Sequence, residues 1–342
     1  MTKEATSDRD AIPKKWLITG GCGFIGTSLI RYLRKKVPDA RIRVMDNLTV
    51  GTREDLSTVC EYKEIERHDS KALAADDGWK TAVQLVVADI KDADACISCT
   101  QGMEAVVHLA ANTGVAPSVE NPRADMEANV VGTFNMLEAS RQNGVGRFVL
   151  ASSGAPIGEV EPPIHEELAP HPVSPYGASK LACEGYCSAY YRSFGLETVA
   201  LRFGNVYGPG SKHKSSVVAK FIKQSFNGET LEIYGDGKQT RDFVYIDDLS
   251  RAILLAASRR GIGGEAFQIA TNSETTVAEV VELLKAVFEK KGLAFSEVVH
   301  SAPRVGDVKR NFSDTSKAKK SLGWTPLVAL PDGIEKTVDW FG

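Results

Sequence analysis

The pattern Tyr-x-x-x-Lys occurs three times in this chain, and only one copy stands where its two side chains could act together. Tyr32 and Lys36 lie toward the far end of a helical stretch, Phe24 to Lys36. Tyr234 and Lys238 enclose Gly235 and Gly237, a composition that makes a turn and cannot hold two side chains at helical spacing. Tyr176 and Lys180 open a helix that follows a strand, and an i,i+4 spacing there puts phenol and ammonium on one face. That arrangement suits removal of a proton from a carbinol. A phenol titrates near 10 when unperturbed, too high for a base near neutrality, and a neighbouring cation favours the phenolate. Ser153 closes the preceding strand and can share the substrate hydroxyl's proton through a hydrogen bond. Ser152 is its neighbour, but strand alternation sends that side chain the other way. Taking a proton from an alcohol is useful when a hydride leaves the same carbon, so the chemistry calls for a hydride acceptor.

The acceptor has its own signature. A short apolar run, Lys15 to Thr19, precedes Gly20-Gly21-Cys22-Gly23-Phe24-Ile25-Gly26, and a helical pattern follows. Gly20, Gly23 and Gly26 permit a tight turn and close approach of a pyrophosphate to backbone N–H groups; Phe24 and Ile25 open the helix whose positive end favours an anion. Asp46 closes the next strand, about 20 residues beyond Gly26, where an acid binds the adenosine ribose hydroxyls. A carboxylate there would repel a 2′-phosphate, which predicts NAD rather than NADP. Arg43 lies before the strand end and is read as turned away. Asn47 beside Asp46, and Ile90 beside Asp89, are grouped with the cofactor residues. Asp89, read as ending the third strand, either accepts from the adenine amine or caps the following turn. His108, inside Val-Val-His-Leu-Ala-Ala, reads as a satisfied histidine at the sheet edge rather than a catalyst.

These residues need a scaffold, and the pattern supplies one. Apolar strands at Arg41–Asp46, 85–89, 105–109, 147–151 and 198–202 alternate with helical stretches around 123–142 and 176–194. Near-continuous apolar strands separated by helices predict a parallel sheet covered on both faces, a Rossmann-type doubly wound α/β fold. After Phe203 glycine and proline become dense, and the alternation lapses. A smaller, partly interleaved C-terminal α/β substrate domain is expected. The division is 14–203 with 243–272 for the NAD-binding part, 204–242 with 273–342 for the second part, and 1–13 as a flexible leader. Thr276 and Glu279 form a capping box opening a helix to Phe288.

The bulk numbers exclude other classes. A net charge of -3 over 342 residues gives no basic field, which argues against a nucleic-acid partner. No run approaches the roughly 20 apolar residues of a membrane span, and the N-terminus lacks the apolar core of a secretory signal, so no membrane partner and a cytoplasmic location are expected. Six cysteines include Cys96-x-x-Cys99, but no second pair stands at ligand spacing; they read as structural thiols with no metal. Cys183 and Cys187 share one helix face and read as packing residues.

The motifs together resemble the extended short-chain dehydrogenase/reductase family and, within it, the UDP-hexose 4-epimerases, from Trp16 to Trp324. The likeness is carried by TGGCGFIG, DNLTVG, VVHLAA, NVVGT, SPYGASK, RFGNVYGPG, YGDGKQTRDFVYIDD and RVGD. It implies that Asn205, Arg241 and Arg304 hold a UDP moiety, which agrees with the aptitude of arginine for bidentate phosphate binding. Asn311 falls where epimerases restricted to plain hexoses have a bulky tyrosine, and a smaller side chain leaves room for an N-acetyl group. The resemblance also implies a homodimer through the helices around 126–142 and 176–194. Two departures stand out. Ala155-Pro156-Ile157-Gly158 replaces the usual V-Y-G, reshaping the sugar pocket, and Thr113 replaces a common lysine. The 4,6-dehydratases carry an Asp-Glu pair after the active-site threonine, whereas Gly154-Ala155 follows Ser153. Competing readings are a uronate epimerase, decarboxylase or keto-sugar reductase of the same family, and an NAD(H)-sensing protein without catalysis.

Overall fold

The computed structural model describes residues 11–67, 69, 73, 83–302 and 309–342. The strands in chain order are β1 (Lys15–Thr19), β2 (Arg41–Asp46), β3 (Tyr62–Glu64), β4 (Val83–Val87), β5 (Ala105–His108), β6 (Arg147–Ser153) and β7 (Glu197–Phe203). They continue as β8 (Asn205–Tyr207), β9 (Leu231–Tyr234), β10 (Thr240–Arg241), β11 (Phe243–Tyr245), β12 (Glu265–Ile269), β13 (Thr275–Thr276) and β14 (Val298–Ser301). One eight-stranded sheet runs β12-β7-β6-β5-β1-β2-β4-β3, and every neighbouring pair in it is parallel.

Period-two alternation explains why both faces are covered. In β1, Trp16 and Ile18 enter one apolar cluster while Leu17 enters the other. In β6, Val149 faces the first cluster and Phe148 and Leu150 the second; β7 repeats the split with Val199 and Leu201 against Ala200. A strand whose every residue is apolar must bury both sides, and fully burying each such side chain contributes about 1.5–3 kcal/mol. The predicted doubly wound fold is the observed one.

The chain leaves β1 toward β2 and β4, then returns to place β5 on the opposite side of β1 and continues through β6 and β7 to β12. The strand order therefore reverses between β1 and β5, and loops diverging there leave a crevice at the carboxyl ends of the strands. Thr19 and His108 end those two strands in register. Predicted strands agree with observed ones to within two residues; the largest consequence is that Asp89 lies two positions past β4 instead of ending it.

The later segments build small sheets: β8 with β11, β10 with β13, and β9 with β14. β11, which opens the 243–272 segment expected to rejoin the NAD-binding part, thus pairs with β8 rather than the main sheet, and it is β12 that adds the eighth strand. The Ile246–Ser258 helix that follows it packs against the Phe24–Lys36 helix. The Val277–Lys290 helix opens on the expected capping box, with Thr276 accepting from the Glu279 N–H and Glu279 from the Thr276 N–H. Among the described residues no helix is long and apolar enough to cross a membrane. Most of the expected leader (1–10) and Arg304 lie outside the described residues.

Candidate active site

The glycine turn after β1 is built for a ligand that approaches its backbone. Gly20 has a φ of +67°, and a Cβ there would meet the Ala110 nitrogen at 2.9 Å. A Cβ on Gly26 would lie 2.5 Å from both the Gly20 oxygen and the Gly21 Cα, so the helix can enter this close only without one. Gly23, by contrast, would meet a single atom, the Gly20 oxygen at 3.3 Å, which leaves its outer side open. The Phe24–Lys36 helix starts at Gly23 with no side-chain cap and no acid in its first turn, while Arg34, Lys35 and Lys36 complement its other end. An uncapped helix N-terminus beside a bare backbone turn matches a pyrophosphate.

Asp46 sits at the edge of this turn, almost fully buried, accepting from the backbone N–H of Cys22 at 2.9 Å and of Leu48 at 2.8 Å. Burial raises its carboxyl above the ordinary range, with the two amides opposing the shift. Two amides leave further lone pairs on its oxygens for ribose hydroxyls. The loop behind it lies directly on the turn, since a Cβ on Gly51 would fall 2.3 Å from the Cys22 carbonyl carbon. Asn47 donates to Asp89 at 3.1 Å, which also accepts from the Lys91 N–H at 2.9 Å. Asp89 therefore caps its turn, one of its two expected roles. The Ile90 side chain packs where a Cβ on Gly132 would fall, and its carbonyl accepts from Asn135 Nδ2 at 3.0 Å. These residues fit an NAD-sized dinucleotide along the crevice.

Arg43 is fully buried on the other side, donating to Gln84 Oε1 at 2.9 Å and to the Cys99 and Leu73 carbonyls. Its removal from the pocket agrees with the sequence reading. His108 is buried between Thr19 Oγ1, 2.8 Å from Nδ1, and Thr133 Oγ1, 3.1 Å from Nε2. Burial pushes its pKa down to about 3, with the nearby Lys180 adding to the shift. The ring stays neutral and satisfied, as expected of a structural histidine. The six cysteines are unpaired, and Cys183 and Cys187 pack in the apolar cluster as predicted.

Ser153 ends β6, and the helix that carries Tyr176 and Lys180 lies against that end of the strand. The Pro175–Phe194 helix is capped by Ser174, whose Oγ accepts from the Gly177 N–H, and carries Pro175 at its first position. Lys180 is buried and donates to the Ala151 carbonyl at 2.9 Å, with its Nζ 5.9 Å from the centre of the Tyr176 ring. Gly177 touches Ala155, whose carbonyl oxygen would be 2.6 Å from an added Cβ. The segment after Ser153 thus forms a wall beside the half-buried phenol. Ser153 Oγ accepts from the Ala155 N–H at 3.2 Å, leaving its own proton free for another partner. Ser152 faces the opposite way, donating to Glu184 at 2.5 Å.

The two described UDP candidates, Asn205 and Arg241, and the sugar-pocket candidate Asn311 lie close to Asp242. Its carbonyl accepts from the Asn205 N–H at 2.7 Å. Arg241 precedes it, and Thr240 Oγ1 accepts from the Asn311 N–H at 3.2 Å. The fully buried Asp242 carboxylate accepts from Thr271 N and Oγ1, both at 2.6 Å, and from the Ser313 N–H at 3.3 Å. Sequence reasoning passed over this residue, an acid standing directly before the apolar run Phe243–Tyr245. It also missed Thr19, which accepts from the Leu109 and Ala110 N–H groups and joins the ends of β1 and β5. A third was Asn129, in a π-helical turn at Glu127–Val131, whose Nδ2 donates to Ser179 Oγ beside Lys180 and to the Asn112 carbonyl. π turns often mark functional sites.

Known proteins share this whole design. The NAD dependent epimerase/dehydratase family matches residues 16–270. The UDP-glucose 4-epimerase of Mycolicibacterium smegmatis is 36% identical over 331 residues, covering 95% of this chain and 97% of that protein. The UDP-glucuronate 4-epimerase of Thermodesulfobacterium geofontis is also 36% identical, over 70% of this chain and 73% of its own. The crystal structure of the Thermotoga maritima UDP-glucose 4-epimerase with UDP-glucose is 35% identical and superposes with a TM-score of 0.82, over 96% of this chain and 98% of that one. With its parallel sheet, glycine turn and Tyr176–Lys180 helix, this chain belongs to the NAD-dependent epimerase/dehydratase family and is an enzyme that uses NAD.

Proposed function

We propose that the chain inverts C4 of a UDP-hexose, either UDP-GlcNAc/UDP-GalNAc or UDP-Glc/UDP-Gal, through a 4-keto intermediate. The observation that carries this reading is the environment of Ser153. Tyr176 and Lys180 provide a base, but Ser153 is followed by Gly154, where an added Cβ would meet nothing within 4 Å, and then by Ala155. No acid follows the serine to expel water, which favours return of the hydride over dehydration. Bound NAD supplies the acceptor and then the donor of that hydride.

The protein's own groups do the rest. Tyr176 takes the 4-hydroxyl proton and later returns it, Ser153 shares that hydrogen bond, and Lys180 keeps a positive charge beside the ring. Asn205, Arg241 and Arg304 anchor the nucleotide while the keto sugar turns over, so that hydride returns to the opposite face. We assign 204–242 and 273–342 to the nucleotide-sugar-binding part, with Asn311, whose N–H donates to Thr240 Oγ1, leaving space for a 2-acetamido group. NMR of the protein with UDP-GlcNAc, UDP-glucose and UDP-glucuronate in turn tests the reading. The C4 epimer of one of the two hexoses, without net NADH, is expected; conversion of UDP-glucuronate alone, or of none while NAD is bound, would reject it.

A homodimer is part of this reading. Phe134 and Tyr186 are each 40% exposed and stack edge-on at 5.8 Å between the Gly132–Gln142 and Pro175–Phe194 helices. Met126, Val131 and Phe194 extend the exposed apolar patch. Pairing these helices with a second copy would cover it. Light scattering at micromolar concentration should give twice the chain mass, and a monomer would reject the interface.

A further inference from the structure

The segment after β8 makes a turn stiffened by hydrogen bonds to itself and to the Val217–Phe226 helix. Ser211 Oγ donates to the Gly208 carbonyl at 2.7 Å, and the Lys214 N–H to the Ser211 carbonyl at 2.9 Å. Lys223, on the Val217–Phe226 helix, donates from Nζ to the carbonyls of Lys212 and Lys214, both at 2.9 Å. This turn reaches across to both flanks of the glycine turn. On one flank, a Cβ on Gly210 would lie 3.4 Å from the ring of Phe24, the first residue of the dinucleotide helix. On the other, Lys212 Nζ is 2.6 Å from Asp55 Oδ1 and His213 Nε2 is 3.2 Å from Oδ2.

Asp55 is well placed to receive it. The carboxylate is 13% exposed, and the lysine and histidine are each 45% exposed. Thr52 donates its N–H and hydroxyl to the same carboxylate, at 3.1 and 3.0 Å, so the acid is fixed before the strap arrives. The short helix it belongs to follows the loop in which Gly51 lies against Cys22 and Gly23. Desolvation would raise this carboxyl, but Lys212 and the Thr52 hydrogen bonds hold it below the ordinary range. It therefore remains an anion facing two basic side chains.

We propose that Asp55, Lys212 and His213 form a latch that fastens the 208–214 strap across the cofactor crevice and keeps NAD bound between turnovers. The latch rests on the reading that NAD lies along the glycine turn. These are positioning residues: they hold a chain segment over the cofactor's exit and touch no reacting atom. An enzyme that takes a hydride and gives it back gains nothing from exchanging its cofactor, and a strap tied at both flanks would have to detach before NAD could leave.

The test is the rate at which bound NAD leaves the full-length protein, followed by rapid dilution into excess competing ADP-ribose. Asp55→Asn and Lys212→Met should each release NAD about two- to fivefold faster, the range expected for loss of one partly shielded ion pair. The melting temperature of the NAD-stripped protein should hold, and the exchange Asp55→Lys with Lys212→Asp should slow release again. Because Asp55 also caps its helix, Lys212→Met decides the matter if Asp55→Asn does not fold. Release at the wild-type rate from the folded variants, with or without a fall in melting temperature, would overturn the latch. A wild-type protein that never binds NAD would overturn the cofactor reading itself, a result distinguishable from unchanged release.

Discussion

Replacing Tyr176 by phenylalanine is expected to lower kcat by about two to four orders of magnitude, the usual contribution of a positioned acid–base group. The ring packing is preserved, because only the hydroxyl is removed and Tyr176 is not counted among the buried core. In the proposed reaction the phenol is the group that exchanges a proton with the sugar, and His108 is no substitute because it is buried and neutral with both nitrogens engaged. NAD retention and melting temperature should stay near wild type. Steady-state rates on the sugar identified by NMR, measured beside the NAD content of the same sample, check this. A loss below about fivefold would mean that another group carries the proton. Retention of all biological activity by this variant would instead favour an NAD(H)-sensing protein.

Glu184→Ala should destabilise the protein by about 3–5 kcal/mol, the cost of breaking a buried ion pair and leaving one charge behind. Glu184 accepts from Arg202 at 2.9 and 2.7 Å, and the two side chains are 9% and 7% exposed. Nη1 of Arg202 already has no hydrogen-bond partner among the described residues, so the guanidinium cannot compensate within its present surroundings. The same carboxylate takes the Ser152 hydroxyl, which links the Tyr176–Lys180 helix to β6 and β7 at once. Urea unfolding should show a lower midpoint with little change in slope. Removing both charges together, with Glu184→Met and Arg202→Met, should recover much of the loss. A single-variant effect under 1 kcal/mol would show that the pair is solvated in solution.

The sequence by itself determined the features that depend on local chemistry. Strands β1 and β2 and the Phe24–Lys36 helix follow residue for residue from apolar runs and glycine spacing, because both are short-range properties of the chain. That the Tyr234–Lys238 copy makes a turn was legible too: Gly235 and Gly237 take positive φ values of 73° and 75°, which no right-handed helix allows. Ser153 and Ser152 diverge because a strand alternates. What spacing could not supply was anything joining distant segments. The pairing of β11 with β8, the collection of three strands of chain by Asp242, and the reach of Asn129 to Ser179 across 50 positions depend on how the halves pack. Asp55 and Lys212 are unremarkable surface charges in the sequence. Only the fold brings them to 2.6 Å, because the energy of such a contact depends on separation in space and burial, neither of which a linear pattern encodes.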